Sequence, residues 1–132
     1  MSVASSIVGG VSETIAFGGV TIDSTDPAEL AAFWTSALGY SVLADAGDYI
    51  MIAPPGVGFG EGRYLAFQLV PESKATKNRV HVDFQTSARE SEVDRLTALG
   101  ATVLGEHSLP GFAWTVLQDP QGNEFCVVSG TS

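Results

Sequence analysis

The alternation of apolar and polar residues predicts where this chain forms strands and helices. Val20-Thr21-Ile22-Asp23 alternates as a half-buried strand does. Ser24-Thr25-Asp26-Pro27 follows it and offers capping side chains, then a proline that suits the first turn of a helix. Four apolar residues recur at helical spacing before Gly39, namely Leu30, Phe33, Trp34 and Leu38. We therefore predict a helix over about residues 27 to 38 whose apolar stripe packs on a sheet.

The same order of elements is predicted twice along the chain. Strand patterns follow the first helix near residues 40–44, 49–53 and 64–70. A strand, a second helix and three more strands are then predicted near residues 79–85, 87–99, 102–106, 112–118 and 124–129. Val80-His81-Val82-Asp83 matches the first strand at an offset of about sixty residues. The sequence thus predicts an α+β fold of two tandem βαβββ units, at about 17–72 and 77–130.

Length and composition favour one folded domain. A chain of 132 residues, 45% of them hydrophobic and 16% charged, buries enough surface for a single core. We therefore predict a single domain over residues 17–132. Residues 1–16 contain Gly9-Gly10 and lack a sustained period, which is typical of a flexible arm or an added edge strand.

Charge and motif content exclude several classes of function. The 15 acidic and 6 basic side chains give a net charge of −9, which repels nucleic acid and anionic membranes. The single cysteine cannot form an internal disulfide, and no signal-peptide pattern or bilayer-spanning apolar run is present. Phosphate-binding loops, dinucleotide fingerprints, nucleophile elbows and zinc-type cysteine pairs are also absent. We expect a cytoplasmic protein that binds neither nucleic acid nor membrane.

The two faces of the predicted sheets differ in polarity. Apolar residues of the best strands are expected to face the helices: Val20, Ile22, Leu65, Phe67, Leu69, Val80, Val82, Phe84, Phe125 and Val127. The opposite face carries Thr21, Asp23, Tyr64, Ala66, Gln68, Arg79, His81, Asp83, Gln85, Glu124 and Cys126. A polar inner face of this kind favours the binding of a small molecule.

Three motifs resemble those of a known superfamily. Asp26-Pro27 leads into Phe33-Trp34 and Leu38-Gly39, Asn78-Arg79-Val80-His81-Val82-Asp83 opens the second unit, and Asp119-Pro120-Gln121-Gly122-Asn123 precedes the last strand. Together with the tandem repeat, they resemble the vicinal oxygen chelate superfamily of glyoxalases, bleomycin resistance proteins and extradiol dioxygenases. The likeness is greatest to its glyoxalase-like branch. It implies two sheets that curl into a cup, and a homodimer.

The resemblance also implies metal-ligand positions on the first and last strands of each unit. Thr21, Gln68, His81 and Cys126 match those positions. His81 is a usual ligand and Gln68 offers a carbonyl oxygen, whereas Thr21 and Cys126 suit such a site poorly. Glu124 lies on the same face two residues before Cys126 and reaches an ion only if the site is displaced. Two expectations stay open: one divalent metal ion held by His81 and Gln68, or no metal.

Each titratable candidate has a chemical and a structural interpretation. His81 is the catalytic candidate, as a general base, or else a hydrogen-bonded histidine in an inert cup. Asp23 and Asp83 form an acid–base pair or, as we favour, serve as structural carboxylates. Cys126 is a nucleophile or, as we favour, a small buried filler.

Aromatic residues and one loop complete the candidate site. Trp34 is expected in the core and Trp114 in the pocket. The loop over residues 54–62 contains Phe59 and either closes over a ligand or is a surface connection; His107 is expected to be exposed and without a role. The expected ligand-binding residues are Thr21, Asp23, Phe59, Gln68, Arg79, Asp83, Trp114, Glu124 and Cys126.

Three functions are compatible with these residues. The first is a glyoxalase-like lyase, isomerase or dioxygenase-related enzyme that acts on a small carbonyl or aromatic metabolite, with His81 assisted by Gln68. The second is a metal-free protein that binds or sequesters a small molecule, as bleomycin resistance proteins do. The third is a structural module with a vestigial cup. Fold resemblance does not choose among them, because function depends on the site.

Overall fold

Each βαβββ unit forms a four-stranded sheet that carries one helix. The computed structural model describes residues 7–8, 11–12 and 14–130. Before the units, β1 (Ile7–Val8) pairs with β2 (Val11–Ser12). The first unit comprises β3 (Gly19–Ser24), α1 (Pro27–Leu38), β4 (Ser41–Asp45), β5 (Tyr49–Ala53) and β6 (Tyr64–Leu69). The second comprises β7 (Val82–Gln85), α2 (Arg89–Leu99), β8 (Thr102–Leu109), β9 (Phe112–Gln118) and β10 (Glu124–Gly130). The predicted α+β fold of two tandem units is confirmed.

The two sheets share one topology. Their strand orders are β3-β6-β5-β4 and β7-β10-β9-β8, with the first and last strands of each unit parallel and the other pairs antiparallel. The register shifts between Val42 and Ala44 in one sheet and between Val103 and Gly105 in the other. Such bulges bend and twist a strand, so both sheets curve at equivalent places. This order also leaves β3 and β7 at sheet edges.

Helix α1 is buried because its sequence combines good caps with a continuous apolar stripe. The Asp26 carboxylate accepts a hydrogen bond from the main-chain N of Glu29, and Gly39 ends the helix at a φ of +70°. Trp34 faces the second unit, where its ring lies 5.3 Å from Phe84 and 4.8 Å from Phe125. The two units therefore share one core.

Helix α2 is attached largely by polar contacts. Within Arg89–Leu99 only Leu96 is fully buried, and Ala88 provides no side-chain cap. The Arg95 guanidinium donates to the main-chain oxygens of Ser36 and Ala37, at 3.3 and 2.7 Å, at the C-terminal end of α1. A cation at that end also interacts favourably with the helix dipole. Hydrogen bonds from Arg95 thus contribute to the attachment of α2, whereas α1 is attached by apolar burial.

The Asp119-Pro120-Gln121-Gly122-Asn123 turn fastens the second unit to the first. The Asp119 carboxylate is buried and accepts hydrogen bonds from main-chain N of Gln121 and Asn123 and, at 3.3 Å, from Nε1 of Trp34. The Gln121 side chain accepts from Ser24 Oγ and donates to the main-chain oxygen of Asp26. These hydrogen bonds hold the turn against the first unit and fix where β10 begins.

Two parts of the fold differ from expectation. Strand β7 begins at Val82 rather than near residue 79, because main-chain N of Glu124 donates to the Asn78 side chain instead of to a strand. Val80 is consequently 72% exposed, and Leu69, at the end of β6, is also exposed, so the prediction that both face a helix is wrong. Strand β8 extends beyond residue 106 to Leu109, because Gly111, at a φ of +97°, closes a tight hairpin to β9.

The expectation for residues 1–16 falls largely outside the described residues and stays a prediction. Ile7–Val8 and Val11–Ser12 are described as an antiparallel pair, separate from both four-stranded sheets. Among the described residues, neither helix is long and apolar enough to span a bilayer.

Candidate functional site

A cavity of about 340 Å³ lies between the edge strands β3 and β7. Its volume is at the lower end of the range, about 300–1,000 Å³, that holds small organic ligands. Apolar side chains from both units form one wall, among them Val20, Ile22, Trp34, Val82, Phe84 and Phe125. Polar side chains form the rest: Thr21, Asp23, Asn78, Arg79, Asn123 and Glu124. The cavity exists because β3 and β7 do not pair with one another.

Two charged side chains that line the cavity have no polar partner among the described residues. Asp23 and Arg79 both line it, and within the described part of the chain neither side chain makes a hydrogen bond or an ion pair. Both are also exposed to solvent. A carboxylate and a guanidinium in this state can orient a ligand without first breaking contacts inside the protein.

Glu124 is the buried acid of the site. Its Oε1 accepts a hydrogen bond from Lys77 Nζ and lies 3.7 Å from His81 Nε2. Its main-chain N donates to Asn78 Oδ1 at 3.2 Å. The hydrogen bond from Lys77 holds the pKa of the Glu124 carboxyl below its ordinary value, against the effect of desolvation. Glu124 is therefore a carboxylate at neutral pH, held by Lys77 beside the imidazole.

Cys126 and Asp83 lie next to each other on the same face, further along the sheet. They are register partners on β10 and β7, and Cys126 is buried. Burial, and then the Asp83 carboxylate, raise the pKa of the Cys126 thiol above its ordinary value. The thiol stays protonated at neutral pH, so this environment opposes a role as a nucleophile.

Five of the expected ligand-binding residues lie outside the cavity lining, and so does the catalytic candidate His81. Two of the five are the neighbours Asp83 and Cys126. Gln68 is exposed beside Asp23, and Phe59 is 69% exposed on its loop. Trp114 stacks between His107 and Phe112, with ring centroids 5.4 and 5.5 Å apart, on the outer strands β8 and β9. His107 therefore has a stacking partner that its sequence context did not indicate.

Sequence reasoning missed Lys77, Asn78 and Asn123 as parts of the site. All three lie outside the strands on which the candidates were sought. Asn123 ends the Asp-Pro-x-Gly-Asn turn, and that motif was the available signal for it. Asn78 begins the motif that opens the second unit, which was the signal for it. Lys77 had no such signal, because only the structure brings the segment before β7 to the start of β10.

The pairing of the strands defines the ring of positions that the resemblance assigns to a metal. In the first unit Thr21 lies opposite Ala66. Gln68 lies two residues further along β6, opposite Asp23. In the second unit Asp83 lies opposite Cys126. His81 instead contacts Glu124, as its position two residues before Asp83 requires. Residues two apart share a face, so the sequence alone could not fix this register.

These positions do not fit a divalent metal ion. In the first unit Thr21 offers a hydroxyl, and Gln68, the other expected ligand, lies opposite Asp23, so the residue opposite Thr21 is Ala66, which offers only a methyl group. The second contributes the His81 imidazole and the Glu124 carboxylate, but Lys77 already occupies that carboxylate. Catalytic metal sites use about three protein ligands. Over the described residues, no three side chains of His, Cys, Asp or Glu converge in this way.

Solved structures with the same architecture come from several bacteria. A glyoxalase/bleomycin resistance protein/dioxygenase family enzyme from Burkholderia phytofirmans PsJN is 18% identical, covers 86% of this chain and 98% of its own, and has a TM-score of 0.68. A superfamily member from Sphaerobacter thermophilus is 21% identical, with 88% and 98% covered and a TM-score of 0.67. At these identities the likeness shows the fold.

The fosfomycin resistance protein FosX from Listeria monocytogenes is a further structural relative. A point variant of it, solved with Mn(II) and a dihydroxypropylphosphonic acid, is 16% identical, with 88% of this chain and 90% of that chain covered and a TM-score of 0.72. Comparison with curated proteins gives no match. The glyoxalase-like domain family model matches residues 19–128, which include both units and the cavity. The chain therefore belongs to the glyoxalase-like domain family, within the vicinal oxygen chelate superfamily.

Proposed function

We propose that this chain binds a small organic molecule with a flat aromatic or otherwise apolar body, without a metal ion, in the cavity between its two units. The observation that carries the proposal is the composition of that cavity. One wall is apolar and includes Trp34, Phe84 and Phe125. The Asp23 and Arg79 side chains also line the cavity, and neither has a hydrogen-bond or ion-pair partner among the described residues. Pockets that bind small ligands commonly combine apolar walls with a few polar groups that set orientation.

The two kinds of wall divide the work of binding. Burial of the ligand's apolar surface contributes about 25 cal/mol per Å² and is not directional. Direction comes from the polar side, where Arg79 can donate to a carbonyl or carboxylate oxygen and Asp23 can accept from a hydroxyl or amine. Metabolites with an aromatic ring and a carbonyl group match both walls. Fosfomycin-type chemistry through a metal is not part of this proposal, because the ligand set does not fit one.

The test is fluorescence titration with anilinonaphthalenesulfonate, an aromatic anion that is bright only in apolar surroundings. Val80→Trp places a large ring at the cavity mouth and displaces no core residue, since Val80 is exposed. Val20→Phe narrows the cavity from the opposite unit. We expect both variants to bind the probe about ten-fold more weakly than the parent protein.

Val42→Trp is the matched control, because Val42 is also an exposed valine but does not line the cavity. Its probe affinity should equal that of the parent. Equal affinity in all four proteins would place the probe elsewhere and contradict the proposal. Once a binding probe is established, displacement by aromatic aldehydes, ketones and carboxylates ranks the ligand chemistry.

The contact between His81 and Glu124 favours a second candidate, an enzyme of the glyoxalase-like kind. At 3.7 Å the carboxylate can orient the imidazole, and an oriented histidine suits a general base that removes a proton next to a carbonyl. Gln68, expected to assist, lies beside Asp23 instead. His81→Asn should then abolish turnover of a ligand found by displacement while its binding persists. Unchanged turnover would exclude His81 as the base.

We also propose that the chain forms a homodimer. Among the described residues no strand pairs with the outer edge of β8, which exposes Val103, Leu104 and Leu109. An edge strand with exposed apolar residues is prone to association, so a second copy would cover it. Light scattering should give twice the chain mass for the parent and a monomer for Leu104→Lys. A monomeric parent at high concentration would refute the dimer.

A further inference from the structure

We propose that the Lys77 ammonium stands in this chain where relatives place a divalent cation, and that it excludes such an ion from Glu124 and His81. The inference starts from the disagreement between the superfamily's metal positions and the residues found there. In the first unit Thr21 offers a hydroxyl, while Gln68, the other expected ligand, lies opposite Asp23 and not opposite Thr21. The second provides an imidazole and a carboxylate whose negative charge is already matched inside the protein.

The geometry makes Lys77 the cation of the site. Lys77 Nζ donates to the same Glu124 oxygen, Oε1, that faces His81 Nε2. The Glu124 side chain is only 6% exposed, whereas that of Lys77 is 70% exposed. A nearly buried carboxylate is costly without a counter-charge, and here the counter-charge reaches it from solvent. A metal ion would have to take the place that the ammonium holds.

Nearby positive charge adds to the exclusion. Arg79 lies between Lys77 and His81 in sequence and lines the cavity that Glu124 also lines. A divalent ion at Glu124 would be repelled by both cations, and it would gain only two protein ligands in return. We therefore expect that removal of positive charge, rather than addition of ligands, is what allows an ion to bind.

The experiment is a titration with Mn²⁺ alone, followed by the loss of the free-ion electron paramagnetic resonance signal and by thermal shift. The decisive protein is Lys77→Met/Arg79→Met, since Arg79 could move onto Glu124 when Lys77 is absent. We expect the parent to show no stoichiometric site and the double variant to bind Mn²⁺ at least about ten-fold more tightly. Mn²⁺ should also raise the melting temperature of the double variant, because the ion restores a counter-charge to Glu124.

Two controls separate the specific effect from a change in net charge. Lys74→Met/Arg63→Met removes the same charge from exposed positions that do not contact Glu124 and should behave as the parent does. Lys77→Arg keeps the cation and should also exclude the ion. Adding Glu124→Gln to the double variant should abolish the gained affinity.

Stoichiometric Mn²⁺ in the parent, or equal affinity in the double variant and its charge-matched control, would overturn the inference. Because no organic ligand takes part in this titration, its outcome is independent of whether the cavity binds a small molecule.

Discussion

The two units share a topology but use it differently. Helix α1 buries a continuous stripe that includes Leu30, Phe33 and Trp34, and an aspartate caps its first turn. Helix α2 buries only Leu96 completely, lacks a side-chain cap and depends on Arg89 and Arg95. The comparison shows that equivalent helices of one fold can be attached by extensive apolar burial in one unit, and by a smaller buried contact with arginine hydrogen bonds in the other.

The candidate site shows the opposite asymmetry. At equivalent positions the first unit has Thr21 and Ala66, and the second has His81 and Glu124. The unit whose helix is less buried therefore carries the imidazole and the buried carboxylate, while the unit whose helix is more buried carries most of the core. Variants that remove or add these helix contacts test how far the stability of each unit depends on its own helix.

The largest effect is expected at Trp34, which joins the two units. Trp34→Ala removes a fully buried indole and should lower the free energy of unfolding by about 3–5 kcal/mol. Leu99→Ala in α2, where the side chain is 40% exposed, should cost less than about 1 kcal/mol. Urea denaturation followed by circular dichroism measures both. Similar losses in the two variants would contradict the view that α1 supplies most of the burial.

A smaller but more specific effect is expected at Asp119. Asp119→Ala leaves the indole N–H of Trp34 and the main-chain N of Asn123 without their acceptor, at a cost of about 1–3 kcal/mol. Trp34→Phe keeps most of the ring but lacks the N–H, so it isolates one of these bonds. In a double-mutant cycle by urea denaturation, strict additivity of the two changes would argue against the bond.

Much of the fold was predictable because the same sequence patterns occur in both units, so each prediction in one unit supports its equivalent in the other. Val20–Asp23 and Val80–Asp83 identified equivalent strands, and the glycines after each helix identified its end. The Val80 error has a physical cause: alternation marks a strand that could form, but Asn78 takes the first main-chain hydrogen bond of β10 and so shortens β7. A side chain outside the strand decided the boundary.

The site was predictable only as a face, not as a set of contacts. Alternation placed His81, Glu124 and Cys126 on one side of the sheet, but it could not show that His81 meets Glu124 while Cys126 meets Asp83. Lys77 was missed because it lies in a loop. Trp114 was expected in the pocket because it is aromatic, yet the stack with His107 and Phe112 lies on the outer strands.

The difference between the two helices can be tested at their N-terminal caps, by removing the cap of α1 and by adding one to α2. Asp26→Ala removes the bond to Glu29 and should lower the free energy of unfolding by about 1 kcal/mol. Ala88→Asp gives α2 the cap that it lacks and should raise stability by about 0.5–1 kcal/mol. Both changes are measured by urea denaturation. No gain from Ala88→Asp would mean that Arg89, rather than the missing cap, determines how α2 begins.

The smallest effect is expected at the ion pair of Glu92 with Arg95 on α2. The hydrogen bond from Arg95 lowers the pKa of the Glu92 carboxyl below its ordinary value. Its contribution is therefore present above the unfolded-state pKa and is lost as the pH falls through the folded-state pKa. Because both side chains are more than a third exposed, solvent limits it to about 0.5 kcal/mol.

Glu92→Gln should accordingly lower the free energy of unfolding near neutral pH and make no difference at a pH where Glu92 is protonated in both states. Urea denaturation of parent and variant between neutral and strongly acidic pH measures the convergence. A constant difference across that range would show that Glu92 acts on α2 through packing, and that Arg95 is held in place by the carbonyl oxygens of Ser36 and Ala37 alone.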